Sequence, residues 1–194
     1  ADLSGTNNGF HLAKDTVGLD NVYIYDSRQV GAPVMDMAIR AKQLADEGKD
    51  VDEIFKVLEE KTKHSFSFLY PDNFDQLSRS GRLSPMAARM ASMLKIKALL
   101  CLDEQGKSVD KYSMSRTEVK VLKAITDKFH ELGVNAEKYK IYISHADNIV
   151  FAKKAKLLLQ TTFHGIEVEI NNLPAVLTCH GGLACCALHS TYKI

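Results

Sequence analysis

Short apolar segments alternate with capped helices from about residue 64 onward, and this order limits the fold more than any other feature of the chain. Ile166, Val168 and Ile170 alternate with Glu167 and Glu169, which is typical of a half-buried strand. The other strands predicted in this part cover His64–Tyr70, Ile96–Leu102, Ser108–Ser113, Tyr139–Ser144, Pro174–Cys179 and Leu183–His189. Residues 64–194 are therefore expected to form an α+β domain with a mostly antiparallel sheet.

The helices of this part are predicted from cap residues and helical spacing. Asn73–Leu94 is expected to be helical with a break near Gly81. Ser115 opens the next helix in a capping box, and Asp147 is the expected cap of a helix that reaches about Gln160.

The first 63 residues show a different order, which is helix, strand, helix, helix. Ser4 is a plausible N-cap for a helix over Ser4–Val17, and Val22–Tyr25 is a short apolar strand. Two further helices are predicted, one marked by Val34–Ala45 and ending at Gly48, the other over Asp50–Lys63 with a capping box. An α/β unit normally begins with a strand, so we expect that sequence precedes this chain. We interpret residues 1–63 as the remnant of an α/β domain and 64–194 as a second domain.

Composition excludes several classes of function. The chain has 25 Lys and Arg against 24 Asp and Glu, a net charge of +1, whereas nucleic-acid binders usually carry a strong basic excess. No stretch approaches the ~20 apolar residues of a membrane-spanning helix. No metal-ligand spacing, phosphate-binding loop or dinucleotide motif is present, so neither a metal nor a cofactor is expected.

The four cysteines bear on the cellular compartment. Cys101, Cys179, Cys185 and Cys186 form no CxxC pair and lie in apolar segments. The N-terminal residues show no secretory signal. We therefore interpret the cysteines as buried free thiols of a cytoplasmic protein.

Ser4, Gly5 and Thr6 are the first candidate binding residues. They open a helix with two hydroxyls and with backbone N–H groups that lack helical partners, which is a site for a carboxylate or a phosphate. An ordinary helix cap explains the same three residues.

Two arginines are further candidates. Arg82 follows a glycine at a helix break, where a guanidinium can hold an anion with two hydrogen bonds. Arg116 lies in a capping box, where a cation slightly opposes the helix dipole. A solvated arginine at a helix corner is the alternative for Arg82.

A histidine near the C-terminus completes the candidates. His180 follows Cys179 and precedes Gly181 and Gly182, which allow another backbone or a ligand to approach closely. His180 could donate a hydrogen bond to an anion or be a satisfied buried histidine. A Cys179–His180 nucleophilic pair is a third possibility, although adjacent residues of a strand point to opposite faces.

Seven segments of the chain, in order and at similar spacing, resemble motifs of the DegV family. They are Leu3-Ser4-Gly5-Thr6, Val22–Val30, Ser80–Ser84, Leu94–Lys97, Ser115-Arg116, His145-Ala146 and His180. The resemblance implies a two-domain α/β fold, here with a truncated N-terminal domain, and a bacterial protein that binds a long-chain fatty acid and is not an enzyme. In some members the bound acid is presented to a fatty acid kinase, which phosphorylates the carboxyl group.

The resemblance also assigns roles to individual residues. Ser4 and His180 match residues that contact the carboxylate, while Arg82 and Arg116 match arginines near the site and the kinase docking surface. Residues that could form the wall of the acyl tunnel are Val34, Met35, Ala38, Met90, Met93 and Leu94. The chain departs from the family at Gly31–Met35 and at Gly181-Gly182, and it lacks a preceding segment that supplies another hydroxyl to the carboxylate.

Three hypotheses follow for the function. The first is a cytoplasmic fatty-acid carrier. The second is an acyl-transfer enzyme that uses Cys179 or His180. The third is a regulatory or interaction domain whose pocket has decayed, and it predicts a filled interior.

Overall fold

A computed structural model of the chain describes residues 3–72, 74–84, 96–103 and 106–194, and this part forms seven helices and six strands. The helices are α1 (Thr6–Val17), α2 (Ala32–Asp46), α3 (Val51–His64), α4 (Asp75–Ser80), α5 (Glu118–Glu131), α6 (Ile149–Thr162) and α7 (Ala175–Gly181). The strands are β1 (Phe66–Tyr70), β2 (Lys97–Leu102), β3 (Val109–Ser115), β4 (Tyr139–His145), β5 (Glu167–Asn172) and β6 (Cys186–Tyr192).

The six strands form one sheet in the order β3-β2-β1-β6-β4-β5. Only β4 and β5 pair in parallel, and α6 connects them, as a parallel pair requires. The other four neighbouring pairs are antiparallel. The mostly antiparallel sheet predicted from the sequence is therefore confirmed.

One face of the sheet carries the main hydrophobic core. Helix α5 packs on β2 and β3, and α6 packs on β4 and β5. Phe68 and Leu188 point from the strands toward Phe129 of α5 and Phe151 of α6, and all four side chains are buried. Since side chains alternate along a strand, the neighbours of Phe68 and Leu188 point to the opposite face.

That opposite face receives the N-terminal helices. Both α2 and α3 pack against β6, and α3 begins with the predicted capping box between Asp50 and Glu53. Ser67, Ala187 and His189 lie on this face of the sheet. The division of the chain after residue 63 coincides with the end of α3 and stays a prediction.

The predicted strand Val22–Tyr25 is wrong, because this segment is extended but pairs with no described strand. Val22, Ile24 and Tyr25 are half-buried, Tyr23 is exposed, and Tyr25 packs against α3 instead of a strand. The Tyr25 ring lies 5.2 Å from that of Phe55, and its hydroxyl contacts Glu59 and Thr62 of α3.

The predicted strand Pro174–Cys179 is also wrong, since residues Ala175–Gly181 form α7. Pro174 is the N-cap residue, and Thr178 donates its hydroxyl proton to the carbonyl of Pro174. A short apolar run does not distinguish strand from helix, and here packing against α4 accompanies the helical form.

Three caps differ from their predicted positions. The N-cap of α1 is Gly5 rather than Ser4, that of α5 is Thr117 rather than Ser115, and that of α6 is Asn148. Asp147, the predicted cap of α6, has a φ of 58°. Of the predicted helix Asn73–Leu94, residues Asp75–Ser80 form α4, whereas Leu83 pairs in parallel with Val109. Residue 73 and residues 85–94 lie outside the described residues.

Within the described ranges, no helix is both long and apolar enough to cross a bilayer.

Candidate ligand cavity

A cavity of about 630 Å³ lies on the face of the sheet that α2 and α7 cover. Its volume falls within the range of about 300–1,000 Å³ that is usual for small-molecule sites. Most of the wall is apolar, with contributions from Ile24, Val30, Val34, Met35, Leu69 and Leu177. The filled interior that a decayed pocket predicts is therefore not observed in the described part of the chain.

The N-terminus of α1 forms a polar rim of the cavity. Ser4 and Thr6 both line it, and their hydroxyl oxygens lie 2.8 Å apart. The backbone N–H of Thr6 donates to the Ser4 hydroxyl at 3.3 Å. Both residues are solvent-exposed, so they mark an open end of the cavity. The positive end of the helix dipole lies at this rim and favours an anionic group.

Arg82 lies in the cavity wall because its backbone is paired to the start of β3. The Arg82 carbonyl accepts a hydrogen bond from the Val109 N–H at 3.1 Å, and the Ser84 N–H donates to the Val109 carbonyl at 3.0 Å. The guanidinium donates to the carbonyl of Ser80, in the last turn of α4. Hydrogen bonds to β3 and to the end of α4 thus hold Arg82 in place.

His180 and Gly181 come from the last turn of α7, and both line the cavity. Gly181 is buried, and a Cβ there would lie 2.9 Å from the Cys185 sulfur. This close approach requires glycine and holds the end of α7 against the chain that leads into β6. His180 is half-buried at the cavity surface.

Five of the seven predicted site residues thus line one cavity, namely Ser4, Thr6, Arg82, His180 and Gly181. Gly5 is the N-cap of α1 and does not contribute to the wall. Arg116 is exposed just beyond the end of β3, seven residues after Val109, and β3 between them spans about 20 Å. The roles of all seven residues in binding stay predictions.

The predicted tunnel wall is partly observed. Val34 and Met35 line the cavity, whereas Ala38 is exposed and does not. Met90, Met93 and Leu94 lie outside the described residues.

The cysteines differ in exposure, although all four are free thiols. Cys185 and Cys186 are buried as predicted, and burial raises the pKa of each thiol to about 12. Cys101 is half-buried in the cavity wall. The prediction of burial is wrong for Cys179, which is exposed on α7 and does not line the cavity.

Adjacent helix residues do not face each other, which argues against a Cys179–His180 pair.

A cluster that the sequence motifs did not indicate lies in the same cavity wall. His189 is fully buried, and its Nδ1 lies 2.8 Å from the Ser67 hydroxyl. The Ser67 hydroxyl is also 3.4 Å from Oε1 of Gln29. Burial lowers the pKa of His189 to about 4. The predicted strand Leu183–His189 places His189 on the same face as Cys185 and Ala187, but no motif marks it as a site residue.

A mixed α/β fold with an apolar cavity and a polar rim is typical of a protein that binds a small amphipathic ligand. The sequence then gives the family. Residues 1–193 match a family model described as "Uncharacterised protein, DegV family". The chain therefore belongs to the DegV family, and the resemblance seen in its motifs is confirmed.

Relatives and solved structures agree with this assignment. A fatty acid-binding protein from Thermotoga maritima is 27% identical over 93% of this chain and 62% of its own length. A DegV domain-containing protein from Clostridium perfringens is 26% identical over 96% of this chain and 65% of its own length. The crystal structure of a fatty acid binding DegV family protein from Streptococcus agalactiae matches with a TM-score of 0.89 at 25% identity, covering 100% of this chain and 68% of that one. The expected fold is thus confirmed, while the chain spans less than two thirds of these curated relatives.

Proposed function

We propose that this chain binds a long-chain fatty acid in the cavity between α1, α7 and the sheet. The observation that carries the proposal is an apolar cavity of about 630 Å³ with hydroxyls, an imidazole and a guanidinium in its wall. The similar proteins from Thermotoga maritima and Streptococcus agalactiae are named for fatty acid binding. Each buried methylene contributes about 0.8 kcal/mol, so the acyl chain supplies most of the affinity.

The carboxylate is proposed to lie at the rim formed by α1. The Ser4 and Thr6 hydroxyls can donate hydrogen bonds there, and the helix dipole favours a negative charge. His180 and Arg82 supply further donors from the same wall. The polar rim then sets the orientation of the acid, and the apolar wall binds its tail.

Native mass spectrometry of the purified chain, with extraction and identification of released lipid, tests this function. A mass excess that corresponds to one fatty acid supports the proposal. If the chain carries no lipid and also takes up none of an added octadecanoic acid, the proposal is wrong.

Filling the cavity provides a test by mutation. Ala187 is 4% exposed and lines the cavity from β6, so Ala187→Phe places a ring where the acyl chain would lie. Displacing two to three methylenes from the wall is expected to weaken binding about 15- to 60-fold. Titration with octadecanoic acid measures the change. Val119→Phe adds the same ring at an exposed site outside the cavity and should leave the affinity unchanged.

The proposed role of His180 predicts a separate effect. His180→Ala should weaken fatty acid binding about tenfold, because a hydrogen bond to a carboxylate is lost. Cys179→Ser changes the exposed neighbour that does not line the cavity and should bind normally. Unchanged affinity in His180→Ala would remove His180 from the carboxylate site. If Cys179→Ser abolished an acyl-transfer activity of the protein, the enzyme hypothesis would be favoured instead.

The family resemblance also suggests a cytoplasmic partner, a fatty acid kinase that acts on the bound acid. Arg82 and Arg116 are proposed to contribute to that encounter, Arg116 from an exposed position outside the cavity. A fatty acid kinase added with ATP to the loaded protein should form acyl phosphate. Failure to form it, with lipid binding intact, would limit the function to carrying the acid.

A further inference from the structure

A polar cluster interrupts the apolar wall of the cavity. Gln29, Ser67 and His189 all line it, and Ser67 connects the other two through its hydroxyl. Ser67 and His189 lie directly opposite each other on β1 and β6, so the sheet itself sets their separation. The Ser67 hydroxyl contacts one ring nitrogen of His189, Nδ1, at 2.8 Å.

The second ring nitrogen of His189 has no partner within the described chain. Three buried side-chain atoms there lack a hydrogen bond, and they are Ser65 Oγ, Ser190 Oγ and His189 Nε2. Of the three residues, His189 lines the cavity, and Ser65 and Ser190 do not. A buried polar atom without a partner is rare in folded proteins, and it calls for a partner that the chain does not supply.

Gly31 lies beside His189 Nε2 in the cavity wall. A Cβ added to Gly31 would lie 3.6 Å from Nε2 and 3.3 Å from Cδ1 of Leu177, so a side chain at position 31 would fill the gap between Leu177 and the ring nitrogen. Because residue 31 is glycine, a ligand group that passes Leu177 can approach Nε2 from the cavity.

The hydrogen bonds around Ser67 indicate which ligand group fits. If Ser67 donates its proton to His189 Nδ1, then Nε2 carries a proton and donates. If Ser67 donates to Gln29 Oε1, then Nδ1 carries the proton and Nε2 accepts. A hydroxyl group can satisfy either tautomer, whereas a carboxylate accepts only. The charged end of the ligand is also better placed near Arg82 and the N-terminus of α1.

We propose that this cavity takes fatty acids that carry a hydroxyl group within the acyl chain, and that His189 Nε2 is the hydrogen-bond partner of that hydroxyl. The inference rests on the proposed fatty acid binding. It assigns to His189 a specificity role that is separate from the carboxylate rim. An unsubstituted chain would leave Nε2 without a partner, while a hydroxylated chain would satisfy it.

Comparison of octadecanoic acid with its 10-hydroxy and 12-hydroxy derivatives tests the inference. Each acid displaces a fluorescent fatty acid from the protein, which gives relative affinities. We expect at least one hydroxy acid to bind about 5- to 10-fold tighter than octadecanoic acid. In His189→Phe the ratio of the affinities for the hydroxy acid and for octadecanoic acid should fall to about one.

Ser67→Ala is a second variant, which keeps the imidazole and removes the hydroxyl that holds it. It should reduce the preference for the hydroxy acid over octadecanoic acid. Equal affinities of the wild type for all three acids overturn the inference and leave the proposed function intact. The inference is also overturned if the preference survives both substitutions. An equal loss of affinity for all three acids in His189→Phe overturns it as well and would place His189 at the carboxylate. If no acid binds the wild type, the proposed function itself is wrong and the inference falls with it.

Discussion

Lys61→Met is expected to lower the free energy of unfolding by about 3–5 kcal/mol. Lys61 of α3 is 3% exposed, and its Nζ lies 2.8 Å from a carboxylate oxygen of Asp36 on α2. The same ammonium donates to the carbonyl of Tyr192, and the Tyr142 hydroxyl donates to Asp36 at 3.1 Å. Removing the lysine leaves Asp36 partly buried without its cation, because methionine retains the volume of the side chain but not the charge.

Urea unfolding of matched variants measures this effect. Lys42→Met removes the same charge from the exposed pair with Asp46, and it should cost less than about 0.5 kcal/mol. The double variant Asp36→Asn with Lys61→Met should regain part of the loss, since no uncompensated charge remains. If Lys61→Met costs no more than Lys42→Met, the buried pair does not stabilise the fold.

The Lys61–Asp36 pair also matters for the site. It joins α2 to α3, and through Tyr142 and Tyr192 it joins both helices to β4 and β6. Helix α2 supplies Val34 and Met35 to the cavity wall, and β6 supplies Ala187 and His189. Weakening this pair is therefore expected to loosen the position of one cavity wall relative to the other.

Local patterns in the sequence predicted those parts of the fold that depend on local physics. The alternation at Ile166–Ile170 marks β5, and Asp50 with Glu53 marks the start of α3, because both signals act within a few residues. The apolar run of α7 is different. Leu177 packs beside Gly31, far away in the sequence, and such tertiary contacts decide between helix and strand.

The site shows the same division. The cavity-lining residues Ser4, Arg82 and His180 come from distant parts of the chain. In the sequence, only the order of the family motifs indicates that these residues belong to one site. His189 belongs to no motif. Its position depends on Ser67, which lies 122 residues away and is joined to it only when β1 pairs with β6.

The stability of the protein is expected to fall by about 3 kcal/mol between pH 6.5 and pH 4 because of His189 alone. Burial lowers the pKa of His189 to about 4, against an ordinary value of 6.5 in the unfolded chain. Between these values the unfolded chain binds a proton that the folded protein excludes, so acid favours unfolding. Above pH 7 both states are neutral at His189, and its contribution no longer changes with pH. Tyr142, paired with His189 across the sheet, stays neutral in this range because burial raises its pKa.

Urea unfolding at several pH values, repeated for His189→Phe, isolates this contribution. The variant cannot titrate at position 189, so its stability should fall by about 3 kcal/mol less than that of the wild type between pH 6.5 and pH 4. The other ionisable groups are the same in both proteins, so their contributions cancel in the difference. Parallel curves for the wild type and His189→Phe would mean that His189 accepts a proton in the folded protein, with water or another partner reaching Nε2.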